Sequence, residues 1–233
     1  MKCAGGIERL VSVTPRFHRP LKKVYPLTNS FASARLFTGR YTMASENSRE
    51  QILDAAVSLF AEKGYEGVGV QEICQTAGIT KPTLYYFFKN KQGLLSSITE
   101  TYGTQLFDRL KTALTYRHEF IKGLTEALDT SLSFAAEHPD FFSLHCVLLN
   151  APENSEGKAV YAPLAQKILA LFTDFFRRSA AEFGNMRGKE ELYALLYHNN
   201  ITALAALRAR GTMEFSDERI YQIVRSFVYG VAD

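Results

Sequence analysis

Between residues 80 and 91 the chain reads Thr-Lys-Pro-Thr-Leu-Tyr-Tyr-Phe-Phe-Lys-Asn-Lys. At helical spacing Leu84 and Phe88 share an inward face, and Phe87 adds to it. Lys81, Thr83, Tyr85 and Tyr86 are left on or near the outer face. The chemistry open to such a set is contact rather than bond-making. Lysine and tyrosine reach phosphate oxygens, while threonine and tyrosine meet base edges or a thymine methyl. Lys91, beside the positive end of the next helix, would add a phosphate clamp. No Gly-rich phosphate loop, nucleophile elbow, His-x-x-His or Cys-x-x-Cys spacing occurs. The cysteines at 3, 74 and 146 are too scattered for a disulfide framework or a zinc site. No enzymatic activity, cofactor or metal is therefore expected.

The elements that must present these side chains are legible upstream. Ser48-Arg49-Glu50-Gln51 has the form of a capping box. Ile52, Ala55, Ala56, Leu59 and Phe60 then give one apolar stripe over about fifteen residues, which Lys63-Gly64 should end. A short second helix follows Gly69, with Val70, Ile73 and Ala77 inward and Cys74 as a small core residue. Gly78 fits a turn of positive φ, and Ile79 fills the gap between helices. Thr80 caps the third helix, Pro82 stands in its first turn, and Asn90-Lys91 opens a fourth. The pattern is a helix-turn-helix, which lays its second helix in the DNA major groove.

From Leu94 to the end every apolar pattern is helical, and no strand-like alternation or repeat appears. Leu94, Leu95, Ile98, Tyr102, Leu106, Leu110 and Leu114 mark one long helix joining two domains. Further stripes follow at 120–135, 141–149 and 161–176, with a break at His138-Pro139 and a loop from Ala151 to Gly157. The last two helices carry Leu192, Leu195, Leu196, Ala203, Ala206 and Leu207, then Ile220, Ile223, Val224, Phe227 and Val228. Gly211 should stop the first of these, and Ser216 should cap the second. Aromatic and polar residues that could line an effector pocket are Tyr102, Phe107, Phe134, Phe142, His145, Phe172, Phe176 and His198, although simple core packing is the commoner account of the aromatics and of His145. His198-Asn199-Asn200 interrupts an apolar helix and faces a pocket, a dimer seam or solvent.

The run from Arg49 to Leu95 resembles the N-terminal domain of TetR-family transcriptional regulators. The resemblance rests on Ile52-Leu53-Asp54-Ala55-Ala56, Leu59 to Tyr65, Ile73, Ala77-Gly78-Ile79 and Leu84 to Lys91. It implies an all-α protein of about nine helices, with a helix-turn-helix domain at 43–92 and a helical effector-binding and dimerisation domain at 93–233. It implies a homodimer on a palindromic operator in double-stranded DNA, released by a small-molecule effector. Carried over by position, the DNA contacts are Thr80, Lys81, Thr83, Tyr85, Tyr86 and Lys91. The dimer surface falls on Leu192, Leu196, Ala203, Ile220, Ile223 and Phe227, with Ala203, Ala205 and Ala206 allowing close helix approach. Gly69 stands where the family usually has Ser or Thr, and Pro82 where it often has glycine. The competing reading is a helical interaction module that has lost DNA binding.

The first 42 residues differ from the rest. They hold eight Lys/Arg and one Glu, with Pro15, Pro20 and Pro26 and no sustained helical period. They read as disordered: an extension upstream of a start at Met43, a basic arm adding phosphate contacts, or a cleaved targeting segment. From Met43 onward 19 basic residues face 23 acidic ones, so the net charge of +3 belongs to the N-terminal stretch. No apolar run approaches the roughly 18 residues that cross a bilayer, and a cytoplasmic protein is expected.

Overall fold

The computed structural model describes residues 36–183 and 186–232, with side chains over 47–183 and 186–230. Among them every regular element is helical. The order is α1 (Leu36–Lys63), α2 (Val70–Ala77), α3 (Lys81–Phe88), α4 (Lys91–Ile98), a π turn (Thr99–Gly103), α5 (Thr104–Ala113), α6 (Phe120–Glu137), α7 (Pro139–Leu149), α8 (Glu156–Ser179), α9 (Glu190–Ala209) and α10 (Asp217–Ala232). The π turn joins α4 and α5 into one rod. None of these helices is long and apolar enough to cross a membrane.

Two expectations near the N-terminus are corrected. Helix α1 begins at Leu36, so Ser48 lies inside it and the capping box is not its start. No proline or glycine interrupts residues 41–63, so nothing forces a break there. Residues 36–42, read as part of a disordered extension, are helical; the readings of residues 1–35 lie outside the described residues. Helix α1 also buries Leu53 and Val57 besides the expected stripe, because its second side packs against α7.

Three of the predicted stops hold, at Gly64, Gly78 and His138, while α8 opens at Glu156, inside the loop expected to run to Gly157. Gly64 and Gly78 have φ of 74° and 66°, the left-handed region where glycine pays no Cβ penalty. His138 divides α6 from α7, and Ser155 caps α8 by accepting from the Lys158 N–H. One continuous core runs from Ile52 on α1 to Val228 on α10. Its centre is aromatic, with Phe120, Phe175 and Phe176 stacked or edge-on within 6.1 Å between centroids.

Helices α6 and α8 approach closely at Gly123. A Cβ there would lie 2.6 Å from two ring atoms of Phe175. Gly123→Ala gains helix propensity, roughly 0.5–1 kcal/mol, but overpacks a filled core, at about 1–3 kcal/mol. Overpacking wins, and urea titration should show a net loss of about 1–2 kcal/mol.

Candidate nucleic-acid interface and effector region

Helix α3 sorts its side chains as its spacing requires. Leu84 and Phe88 are 0% and 3% exposed, and Phe87 packs at the edge of the core. Thr80, Lys81, Tyr85 and Tyr86 point outward, Tyr86 with 80% of its surface free and Tyr85 with 45%. Thr80 occupies the N-cap position, but its hydroxyl shares a 2.9 Å hydrogen bond with the half-buried Thr83 hydroxyl rather than with a backbone amide. The two threonines are thus held together at the tip of the helix. Tyr86 meets the Phe87 ring edge-on at 5.0 Å, which limits its swing. Cys74 is buried in the layer beneath, and burial pushes its thiol pKa up.

Lys91 departs from expectation. Its ammonium donates to the Tyr65 carbonyl at 3.0 Å and the Val68 carbonyl at 3.2 Å, and lies 4.1 Å from the centroid of the Tyr65 ring. Two of its three protons therefore tie down the corner between α1 and α2. The exposed cation at this end is Lys89, just past α3 at φ 63°. Sequence reasoning missed it because Lys89-Asn90-Lys91 offers two lysines in one turn. Only the fold shows that Asn90 caps α4, accepting from the Gly93 N–H at 2.6 Å, and that Lys91 turns inward.

The effector candidates do not form one pocket. Phe142, Phe172 and Phe176 are buried in the aromatic core, joined by Phe134, and Phe107 packs at its edge. Tyr102 lies on the π turn, stacked on Phe141 at 5.3 Å, with its hydroxyl donating to Asp54 at 3.4 Å. It fastens the rod to α1 and α7 instead of facing an interior space. His145 and His198 are 2% and 7% exposed and share a cavity of about 10 Å³ with Phe142 and Ser131, room for roughly one water. The His145 Nδ1 is hydrogen-bonded to the Tyr161 hydroxyl. Burial drives the His145 pKa down to about 3 and that of His198 down to about 4. Asn199 and Asn200 face outward.

Larger spaces lie nearer the surface. A groove of about 720 Å³ runs between α7, α8 and α9, lined by Leu149, Lys158, Ala165, Gln166, Leu169, Leu195, His198 and Asn199 among others. A second, of about 730 Å³, lies between α9 and α10 beside Tyr197, Leu204, Ile223 and Phe227. Both fall in the size range of small-molecule sites.

The predicted dimer residues divide. On α9, Leu192, Leu195 and Leu196 are 52%, 44% and 45% exposed, and Ala203 is exposed with them. Ala205, expected at a helix–helix seam between copies, is fully buried in its own subunit. On α10, Ile220, Val224 and Val228 are buried, because α10 packs its apolar stripe on α6. Ile223 and Phe227 are half-buried, with the Phe227 ring 4.8 Å from that of Tyr197. Ile220 is therefore core, and the exposed aromatics of α10 are Tyr221 and Tyr229, which flank Arg225.

Comparison with known proteins agrees with this arrangement. Residues 52–98 match the family model for bacterial regulatory proteins of the tetR family. Among relatives, the HTH-type transcriptional regulator YuxN of Bacillus subtilis is 31% identical over 127 residues, covering 53% of this chain and 42% of that protein. The fatty acid metabolism regulator protein of the same organism is 39% identical over 61 residues, covering 26% and 31%. The chain spans 40–49% of the length of the first curated relatives it matches. Among solved structures, a TetR-like transcriptional regulator from Rhodococcus sp. RHA1 superposes with a TM-score of 0.62 at 21% identity, covering 78% of this chain and 93% of that one. FadR from Bacillus subtilis in complex with stearoyl-CoA gives 0.62 at 19% identity, covering 79% and 97%. The tetR-family model is thus matched across the helix-turn-helix, residues 52–98, and the all-helical body of the described residues is similar in fold to TetR-like regulators.

Proposed function

We propose that the protein is a ligand-responsive repressor that reads a palindromic duplex as a homodimer. The observation that carries the reading is the division of α3: Leu84 and Phe88 are sealed in the core while Lys81, Tyr85 and Tyr86 are free to meet a groove. Tyr85 and Tyr86 stand side by side with Lys81 on that face, an aromatic and cationic pairing suited to bases and phosphates. Thr80, Thr83 and Lys89 frame the same face. Lys91 supports it from behind, and its remaining proton can still reach a phosphate.

The exposed leucines of α9 supply an apolar surface for a second copy. Ile223, Phe227 and Ala203 border it, and Ile220 stiffens α10 from within. Pairing would set two reading helices about 34–36 Å apart, one turn of the duplex. An effector in the groove between α7, α8 and α9 would favour one spacing over another and shift the population accordingly. Since one structural likeness holds stearoyl-CoA and one relative regulates fatty acid metabolism, long-chain acyl thioesters are the first class to test.

The test is selection of bound duplex from a random pool by the purified full chain. An enriched inverted repeat supports the reading; no enrichment at moderate salt would leave the interaction module. On the enriched duplex, Tyr86→Ala should weaken binding by roughly 10- to 100-fold, the range of about 1–3 kcal/mol for one base contact. Its melting temperature should hold, because an exposed side chain contributes little to folding. Leu195→Glu/Leu196→Glu should convert the dimer to monomer in analytical ultracentrifugation. A dimer that persists would move the interface elsewhere.

A further inference from the structure

Helix α8 touches the corner between α1 and α2 at one level and the π turn at another, and the first is a built joint. The Tyr65 hydroxyl donates to Glu156 Oε2 at 2.6 Å, and the Gly157 N–H donates to Glu66 Oε1 at 3.3 Å. Tyr65 is 2% exposed, and Lys91 fixes its backbone and ring. A Cβ on Gly157 would sit 3.1–3.2 Å from Tyr65, so the two surfaces meet as closely as glycine permits. The carboxylates of Glu66 and Glu156 both lie at the positive N-terminal end of α8, where negative charge is favoured. One face of α8 lower down, Leu164 presses on the π turn: a Cβ on Gly103 would lie 2.2 Å from Leu164 Cδ2.

The same segment of α8 is also set apart from the rest of its helix. Pro163 lies inside α8. It has no N–H to return to the carbonyl one turn earlier, so the first two turns are tied to the remainder by one fewer backbone bond. The side of those turns away from Tyr65 faces the groove at Lys158 and Ala162, and Ala165 and Gln166, just past Pro163, line it next to them. The π turn that Leu164 abuts carries a buried Thr99 hydroxyl with no hydrogen-bond partner among the described residues.

We propose that the first two turns of α8 are a strut that carries groove occupancy to the reading helix, with the Tyr65–Glu156 hydrogen bond as its joint. The inference rests on the effector reading above. A molecule in the groove displaces the turns bounded by Pro163. Their clasp on Tyr65 and Glu66 then shifts the corner between α1 and α2, and Lys91 passes the shift to the start of α4. Tyr65 is a positioning residue in this account, not a DNA contact.

The test requires neither operator nor effector. Ala165→Trp in the full chain fills the groove, and because the chain contains no other tryptophan, blue-shifted emission reports that the ring is seated. Hydrogen exchange is then read at residues 65–70 in four proteins: the parent, Ala165→Trp, Tyr65→Phe and the double variant. Ala165→Trp should change exchange at 65–70 by about fivefold or more, and the change should fall below about twofold once Tyr65→Phe removes the hydroxyl. Glu156→Gln, which keeps an acceptor, should retain the larger part of it. A change of equal size with and without the hydroxyl would overturn the proposal, as would no change while the tryptophan is seated. If Ala165→Trp does not fold, Gln166→Trp, at an exposed position on the same groove, replaces it. Failure of the duplex selection would sink the DNA-reading function and leave this result standing, so the two can be told apart.

Discussion

Lys91→Met should lower folding stability by about 2.5–5 kcal/mol, although sequence position alone marks the residue as a surface phosphate contact. The substitution keeps the stem and removes the charge. It leaves the Tyr65 and Val68 carbonyls without their donor, at about 1–3 kcal/mol for each one shielded from water. It also removes a cation over the Tyr65 ring, worth roughly 0.5–2 kcal/mol. Partial exposure of the site keeps the sum toward the lower half of those ranges. Urea unfolding with an unchanged slope is the measurement. A solvated lysine would change stability by no more than about 0.5 kcal/mol, and that result would restore the clamp reading. The comparison is Lys89→Met, which should leave stability alone. On the selected duplex it should weaken binding and reduce the salt slope by about one phosphate's share.

Acid should unfold the protein in a window set by His145 and His198. Both are neutral in the folded state, with pKa values of about 3 and about 4, against an ordinary value near 6.5 in the unfolded chain. The sign follows from proton counts: below pH 6.5 the unfolded state binds protons that the folded state refuses, so stability falls as pH falls. Each histidine contributes a slope of up to about 1.4 kcal/mol per pH unit. Between pH 7.5 and 5.5 the pair should remove about 2–3 kcal/mol. Glu137, Glu182 and Glu190, whose pKa values are lowered by neighbouring hydrogen bonds, lose their contributions only below about 4.5, so they do not confuse the upper window. Denaturant titrations at pH 7.5, 6.5 and 5.5 measure the slope. His198→Gln should reduce it by about half; an unchanged slope would assign the window to other groups.

Local signals located most of the elements. The stripes on α1, α6, α7 and α8 follow from a period of 3.6, and the stops at Gly64, Gly78 and His138 follow from backbone geometry and from the proline after His138. The exposed face of α3 was legible for the same reason: its inward residues are four apart, so the outward ones are determined. The start of α1 was not, because a capping sequence permits a helix to begin without compelling it. The π turn at Thr99–Gly103 was not either, since the spacing of four from Ile98 through Tyr102, Leu106, Leu110 and Leu114 reads as one ordinary helical stripe.

What the sequence determined alone was therefore which side of each helix is apolar and where most helices stop, since both depend on residues within a few positions of one another. What only the tertiary structure decided was which apolar side meets which neighbour. Ile220 and Ala205 face their own subunit while Leu192, Leu195 and Leu196 stay bare. Lys91 turns to Tyr65, 26 residues away, and Tyr65 reaches Glu156, 91 residues away. Partners so distant along the chain leave no periodic trace in it; packing geometry alone brings them within hydrogen-bonding distance.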